Sequence, residues 1–266
     1  MRRYVYDIEI FKNFFLIIFW GYPDKEEKHV FEISERRNDY EHIKKFMSQK
    51  DLYLIGFNSK HFDNLLLQKL LTDKYRDWQT TVSGLKQLAD WIITDYDNQY
   101  EKFKWYQWKQ TWQTVDLFMY WSQLTRRSKK ISLKTLAVNI HHPWIQELPI
   151  HPNEEVKDYD EVIKYCHNDV DITYKLCDLL KEQIAFRLEV EDEHKIKCLS
   201  ADGVKIGTEY LAKLYSNTTG MDMKEVKGHK TIRHTVRPKE FLPQLDFNHP
   251  ESLAYYNYLL NYEGKP

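Results

Sequence analysis

Glycine is scarce in this chain, eight among 266 residues, and no repeat or low-complexity block interrupts it; a fibrous or solenoid architecture is therefore excluded. Cysteine is rarer still. Cys166, Cys177 and Cys198 make an odd set without zinc-type pairs, which fits a reducing, cytosolic compartment better than a disulfide scaffold. Charge of one sign is lacking too: the net charge is -1, so any nucleic-acid contact has to come from local patches rather than overall basicity. The apolar run from Phe14 to Trp20 is too short to span a bilayer and follows two acidic residues, so neither an export signal nor a membrane partner is expected. What the chain does have is 42% hydrophobic residues, enough for a sizeable core, and 15% aromatics, which serve core packing or base stacking equally well.

The pattern along the chain predicts an α/β fold. Arg3 to Ile10, Asn13 to Gly21 and Lys28 to Ile33 read as strands of an antiparallel meander at the start of a mixed sheet, with a turn at Lys12-Asn13. Asn38 to Ser48 reads as a helix, Asp51 to Phe57 as a strand, and Phe62 to Leu71 as a helix with leucines at helical spacing, which puts Asp63 in its first turn. Residues 74 to about 112 break the rhythm and read as an insertion with a helix around Val82 to Ile93. Thr114 to Leu117 reads as a strand end, Ile131 to Ile140 as a helix, and Tyr159 to about Val190 as one long, kinked helix. After Cys198 come a helix at Val204 to Tyr215, a basic, proline-punctuated stretch and a Tyr-rich tail. The expected organisation is a domain over 1–190 and a helical, basic extension over 191–266 that contacts DNA or a polymerase.

Four acids carry the chemistry. Asp7 and Glu9, two apart on a strand, point to one face; Tyr165 and Asp169, four apart on a helix, also share a face; Asp63 supplies a further carboxylate. Carboxylates converging in one cleft repel unless a divalent cation neutralises them, and two Mg²⁺ or Mn²⁺ ions roughly 4 Å apart clamp the attacking and leaving oxygens of a phosphoryl displacement. That combination points to a nuclease. Tyr165, with a free phenol pKa of about 10, is suited to orienting a water rather than abstracting its proton.

Asp-Ile-Glu at 7–9, Asn-x-x-x-Phe-Asp at 58–63 and Tyr-x-x-x-Asp at 165–169, in that order, resemble the three exonuclease motifs of the DEDD superfamily. Singly each is a weak signal; the ordered set is strong. The resemblance is to the tyrosine branch, since counting forward from His167 with the histidine branch's spacing lands on Ile172 rather than an acid. Tyr4 to Phe15 and Tyr165 to Thr173 are most similar to the proofreading 3′-to-5′ exonuclease domain of phage and family B DNA polymerases, while the third motif also suits family A. Over residues 1 to about 190 the resemblance implies an RNase H-like fold. It also implies that Asp7 bridges two metals, that Glu9 and Asp169 complete one site, and that Asp63 holds the other. Asn58 and Phe62 would then grip a single-stranded or frayed DNA 3′ end, and a phage-encoded chain would act in the host cytoplasm.

Simpler explanations compete at several positions. Asp63 alone would suit a helix N-terminus, Asp171 a helix surface, Asp116 a helix cap, and His61 and His167 structural roles. Trp105, Trp108, Trp112 and Trp121 fit core packing better than base stacking. Arg126, Arg127, Lys129 and Lys130 form the densest basic run, either a solvated loop or a track for phosphates, and Lys224 to Lys239 is a second one. The residues after 190 are too few for a polymerase palm, fingers and thumb, so the expectation is a free-standing exonuclease, a subunit of a split replicase or a piece of a longer polymerase. Three functions stay open: a DNA 3′-to-5′ exonuclease, an exoribonuclease on the same scaffold, and a non-catalytic nucleic-acid or polymerase-binding module.

Overall fold

The longest apolar run becomes the most buried strand. All seven residues of β2 (Phe15–Gly21) are buried, as expected of a strand covered on both faces. It pairs antiparallel with β1 (Arg2–Ile10) and β3 (Lys28–Ile33), and β4 (Leu52–Gly56) and β5 (Gln113–Asp116) add in parallel beyond β1. In this computed structural model, which describes residues 2–108, 110–124, 131–228 and 235–264, the sheet order is β3-β2-β1-β4-β5. The fold is thus α/β, with a five-stranded mixed sheet flanked by helices, and β1 lies at its centre.

Alternation along β1 sorts its side chains between two core layers. Tyr4, Tyr6, Ile8 and Ile10 join the layer formed with α1 (Tyr40–Met47), α2 (Asp63–Thr72) and α3 (Trp78–Trp108). Val5, with Leu16 and Ile18 of β2, joins the layer formed with α4 (Leu117–Leu124), α5 (Leu133–Asn139) and α6 (Tyr159–Leu179). Asp7 and Glu9 lie on the Val5 face, and so under α6. The loop after β1 is tied down by Asn13, whose side-chain amide exchanges two hydrogen bonds with the backbone of Val156, at 3.0 and 2.8 Å.

Several elements differ from the sequence reading. The segment after residue 74 is spanned by one 31-residue helix, α3, that runs on past Ile93. The expected helix to Val190 is two, α6 and α7 (Lys181–His194), meeting at Leu180. Neither glycine nor proline marks that break; tertiary packing does, because it lets Leu180 and Ile184 both enter the core. The helix α4 was not anticipated. It starts directly after Asp116, whose Oδ1 accepts the Phe118 N–H at 3.1 Å, the bond of a helix cap.

Two compact units divide the chain, Met1–Tyr210 and Leu211–Pro266. The first holds the sheet and a small separate cluster of Val190, Ile196, Cys198, Ala201 and Ile206. The boundary falls within α8 (Gly203–Thr219). The second unit contains α9 (Met223–Gly228) and α10 (Pro250–Asn261), and a bridge between Val236 and Gly264. No residue of α9 or α10 is buried, and Arg237 in the second basic stretch is paired with Glu240 and Glu263. Among the described residues no helix is long and apolar enough to cross a membrane.

Candidate metal centre and cleft

Pairing between β1 and β4 runs only from Arg2 to Val5, whereas β1 continues to Ile10 beside β2. The two central strands therefore part at the carboxyl end of the parallel strands, where open α/β sheets bind ligands. A cleft of about 930 Å³ opens there, lined by Asp7, Glu9, Asn58, Phe62, Asp63 and Asp169 among others. Six residues picked from three separate sequence motifs thus share one cavity wall.

Each arrives by a different route. Asp7 and Glu9 extend from β1 beyond its pairing with β4. Asp169 and Tyr165 come from α6, one turn apart, and each acts on the other's pKa. Asp63 comes from the opposite layer, at the first residue of α2. The Ile8 N–H, on the strand portion that β4 leaves unpaired, pulls the Asp63 pKa down. The turn that delivers Asp63 depends on Gly56, where a Cβ would sit 2.7 Å from the Ser59 Cβ and 3.0 Å from the Tyr6 ring. It also depends on Asn58, which adopts the left-handed conformation at φ 58° that asparagine tolerates better than most residues. Asn58 therefore has a backbone reason to be where it is, besides its place in the cleft wall.

Asp116 holds this turn. It is fully buried, and its carboxylate accepts the N–H groups of Asn58 (2.8 Å) and Lys60 (3.1 Å) as well as that of Phe118. Three backbone donors account for it without a metal.

The electrostatics are those of a crowded anionic site. Burial, followed by the negative charges of Asp63, Glu9 and Asp169, pushes the Asp7 carboxyl well above its ordinary range. Glu9 is raised by burial and then by Asp169 and Asp63. Asp63 is pushed up from 3.8 to about 8, first by burial, with Asp116 adding to it against the opposing backbone hydrogen bonds. Asp169 is raised by burial, while Lys134 and Tyr165 pull the other way and Glu147 adds a further negative charge. Burial and the surrounding acids likewise raise the Tyr165 phenol, so it stays protonated at neutral pH.

Lys134 was not singled out as a site residue from sequence. Its ammonium forms an ion pair with Asp169 and lies 4.5 Å from the centroid of the Tyr165 ring. One signal was present: Lys134 is the second residue of α5, capped by Ser132, whose Oγ accepts the Thr135 N–H at 3.1 Å. A cation there opposes the helix dipole, which is tolerable where acids face it. Cys166 is the other unanticipated neighbour. Its Sγ lies 3.9 Å from Asp7 Oδ2, and Asp7, Glu9 and Cys166 can place one ligand atom each within 4.8 Å of one another. Burial and the nearby acids keep the thiol protonated, leaving the carboxylates as the donors and favouring hard cations such as Mg²⁺ or Mn²⁺ over thiophilic ones.

Other sequence candidates fall away from the cleft or outside the description. Arg126, Arg127, Lys129 and Lys130 lie outside the described residues, as do the side chains of Trp105, Trp108 and Trp121. Trp112 is buried and its indole N–H bonds Asn64, a packing role. Asp171 pairs with Lys25 (2.5 Å) and His142 (3.5 Å), and His167 accepts the Trp20 indole N–H. His61 lines the cleft.

No family model, curated protein or solved structure matches the chain.

Proposed function

We propose that this protein is a metal-dependent 3′-to-5′ exonuclease that releases nucleoside monophosphates from a single-stranded or frayed DNA 3′ end, on an RNase H-like scaffold, as a proofreading partner of a phage-type DNA polymerase body. One observation carries the reading: Asp7, Glu9, Asp63 and Asp169 line one cleft where β1 outruns β4, each with its carboxyl raised by burial, and Asp7 and Glu9 further raised by the other acids of the set. A site that stores this much unfavourable charge is suited to divalent cations, and its hard oxygen donors fit Mg²⁺ or Mn²⁺. Held by those four carboxylates, such ions would supply the Lewis acidity that activates water and stabilises charge on the leaving 3′ oxygen.

The chain's own groups do the rest. Tyr165, kept protonated beside Asp169, would orient the attacking water by hydrogen bonding. Lys134 balances Asp169 and, beside it, would offer a cation to a phosphate oxygen. Phe57, Phe62 and Phe118 give the cleft an apolar flank against which unpaired bases can stack. The Phe57 and Phe118 rings meet edge to face at 5.6 Å, which holds that flank rigid.

The deciding experiment is a denaturing gel of 5′-labelled single-stranded DNA incubated with Mg²⁺ or Mn²⁺, with EDTA and Asp63→Ala controls. A metal-dependent ladder shortening from the 3′ end, lost in the variant, is the expected result. Faster degradation of a matched RNA would move the assignment to an exoribonuclease; an uncut strand that shifts on a native gel would move it to a binding module. Proofreading is tested separately, by preference for a mismatched 3′ end and by association with the cognate polymerase.

A further inference from the structure

Asp63 lines the same cleft as Asp7 and Glu9 and its charge acts on both, yet no side-chain cap holds the start of its helix. The residue before it, Phe62, makes no side-chain capping bond at φ -137°, ψ -76°. The residue after it is differently placed. Asn64 is almost fully buried, at 3% exposure. Its Oδ1 accepts the Tyr6 hydroxyl at 2.7 Å and the Trp112 indole N–H at 3.2 Å, and its Nδ2 donates to Thr114 Oγ1 at 3.0 Å. Gln110 Nε2 donates to the same hydroxyl at 2.7 Å and to the Trp112 carbonyl at 2.7 Å.

The members of this network matter more than their number. Tyr6 is the neighbour of Asp7 on β1, Asn64 is the neighbour of Asp63 on α2, and Thr114 belongs to β5. The network lies on the sheet face opposite the one that carries Asp7 and Glu9, so it spans the opening cleft from behind. Both lone pairs of the Asn64 carbonyl are used, which fixes its orientation. A buried polar network satisfied in this way specifies position in a manner that apolar packing does not.

We propose that Asn64 is a positioning residue for the metal centre: by tying the first turn of α2 to β1 and β5, it sets the separation of Asp63 from Asp7 and thereby the affinity of the site for divalent cations. This rests on the metal-centre reading above. Loss of the tie lets repulsion move Asp63 outward, and outer partners of metal ligands are typically worth about 10- to 100-fold in metal affinity.

The test is Mn²⁺ binding to the full chain by calorimetry, together with the Mn²⁺ dependence of DNA cleavage, at a temperature well below the melting point of each variant. Asn64→Ala is expected to weaken Mn²⁺ binding about 10-fold or more and to shift cleavage to higher Mn²⁺, with most of kcat regained at saturation. Thr114→Val, which removes one acceptor without changing shape, is expected to do so more mildly, and Thr114→Ser to restore wild-type binding; this pair carries the test if Asn64→Ala does not fold. Wild-type Mn²⁺ affinity in a folded Asn64→Ala or, failing that, in Thr114→Val overturns the proposal. A wild-type chain that binds no Mn²⁺ overturns the metal-centre reading itself, and this role with it, whereas Mn²⁺ binding without cleavage overturns the exonuclease alone.

Discussion

Replacing Asp63 by asparagine should stabilise the metal-free protein, and increasingly so as pH rises. The carboxyl stands at about 8 in the folded chain against an ordinary 3.8. Below the unfolded value both states hold the proton and the group is neutral towards stability. Between the two values only the folded state holds it, so stability falls as pH rises, and above about 8 the loss levels off. At about 1.4 kcal/mol per unit, the shift sets a ceiling of roughly 6 kcal/mol. Because Asp7, Glu9 and Asp169 can take up protons in place of Asp63, the gain on removing its charge is smaller, on the order of 2–3 kcal/mol at pH 9. At about 2–4 °C per kcal/mol for a chain of this size, Asp63→Asn should melt roughly 4–12 °C above wild type at pH 9 in EDTA. The assay is calorimetric melting of both proteins at pH 5.5, 7, 8 and 9, without and with Mn²⁺. The difference should widen up to about pH 8 and then stay constant, and saturating Mn²⁺ should reverse the order by stabilising wild type alone. A difference that is flat across pH, or a variant that melts below wild type at pH 9 in EDTA, would refute the reasoning and make Asp63 a structural acid.

Tyr165→Phe removes one orienting hydrogen bond, so single-turnover cleavage should slow by about 3- to 10-fold rather than vanish; full activity would remove Tyr165 from the mechanism. Lys134→Gln strips Asp169 of its counter-ion in a partly buried setting, and urea unfolding of the metal-free protein at pH 8 should show a loss of about 1–3 kcal/mol that Mn²⁺ largely cancels. A loss of the same size with and without Mn²⁺ would mean that Lys134 acts through packing. Asp116→Ala leaves three backbone N–H groups without their acceptor and should cost about 2–4 kcal/mol whether or not metal is present; equilibrium unfolding that matches wild type would show that the Asn58 turn holds itself.

The strands and the acids were the legible part. Period-two burial and β-branched runs located β1 to β4 to within a residue or two, and the spacing of Asp7 with Glu9 and of Tyr165 with Asp169 needed only strand and helix geometry. Elements set by tertiary contacts were not legible. The single-residue interruption at Leu180 has no local signature, and α4 begins where Asp116 happens to be free to cap it while also holding Asn58 and Lys60. Lys134 was hidden for a similar reason. In a run of five cations within nine residues, Arg126 to Lys134, only its place just after the Ser132 cap sets apart the one that meets Asp169. Asn64 follows a motif residue and reads as filler until the indole, the phenol and the threonine hydroxyl that meet it are in place.

The pull of the Ile8 amide on the Asp63 carboxyl makes one proton of the central strand a reporter on the cleft. An amide in the middle of a sheet ordinarily exchanges with solvent only when the sheet opens. Here the neighbour is a side chain whose protonation, and whose capture by a cation, alter the field at that proton. The exchange rate and the proton chemical shift of Ile8 should therefore track occupancy of the site in solution, one residue at a time, without substrate and without a catalytic turnover.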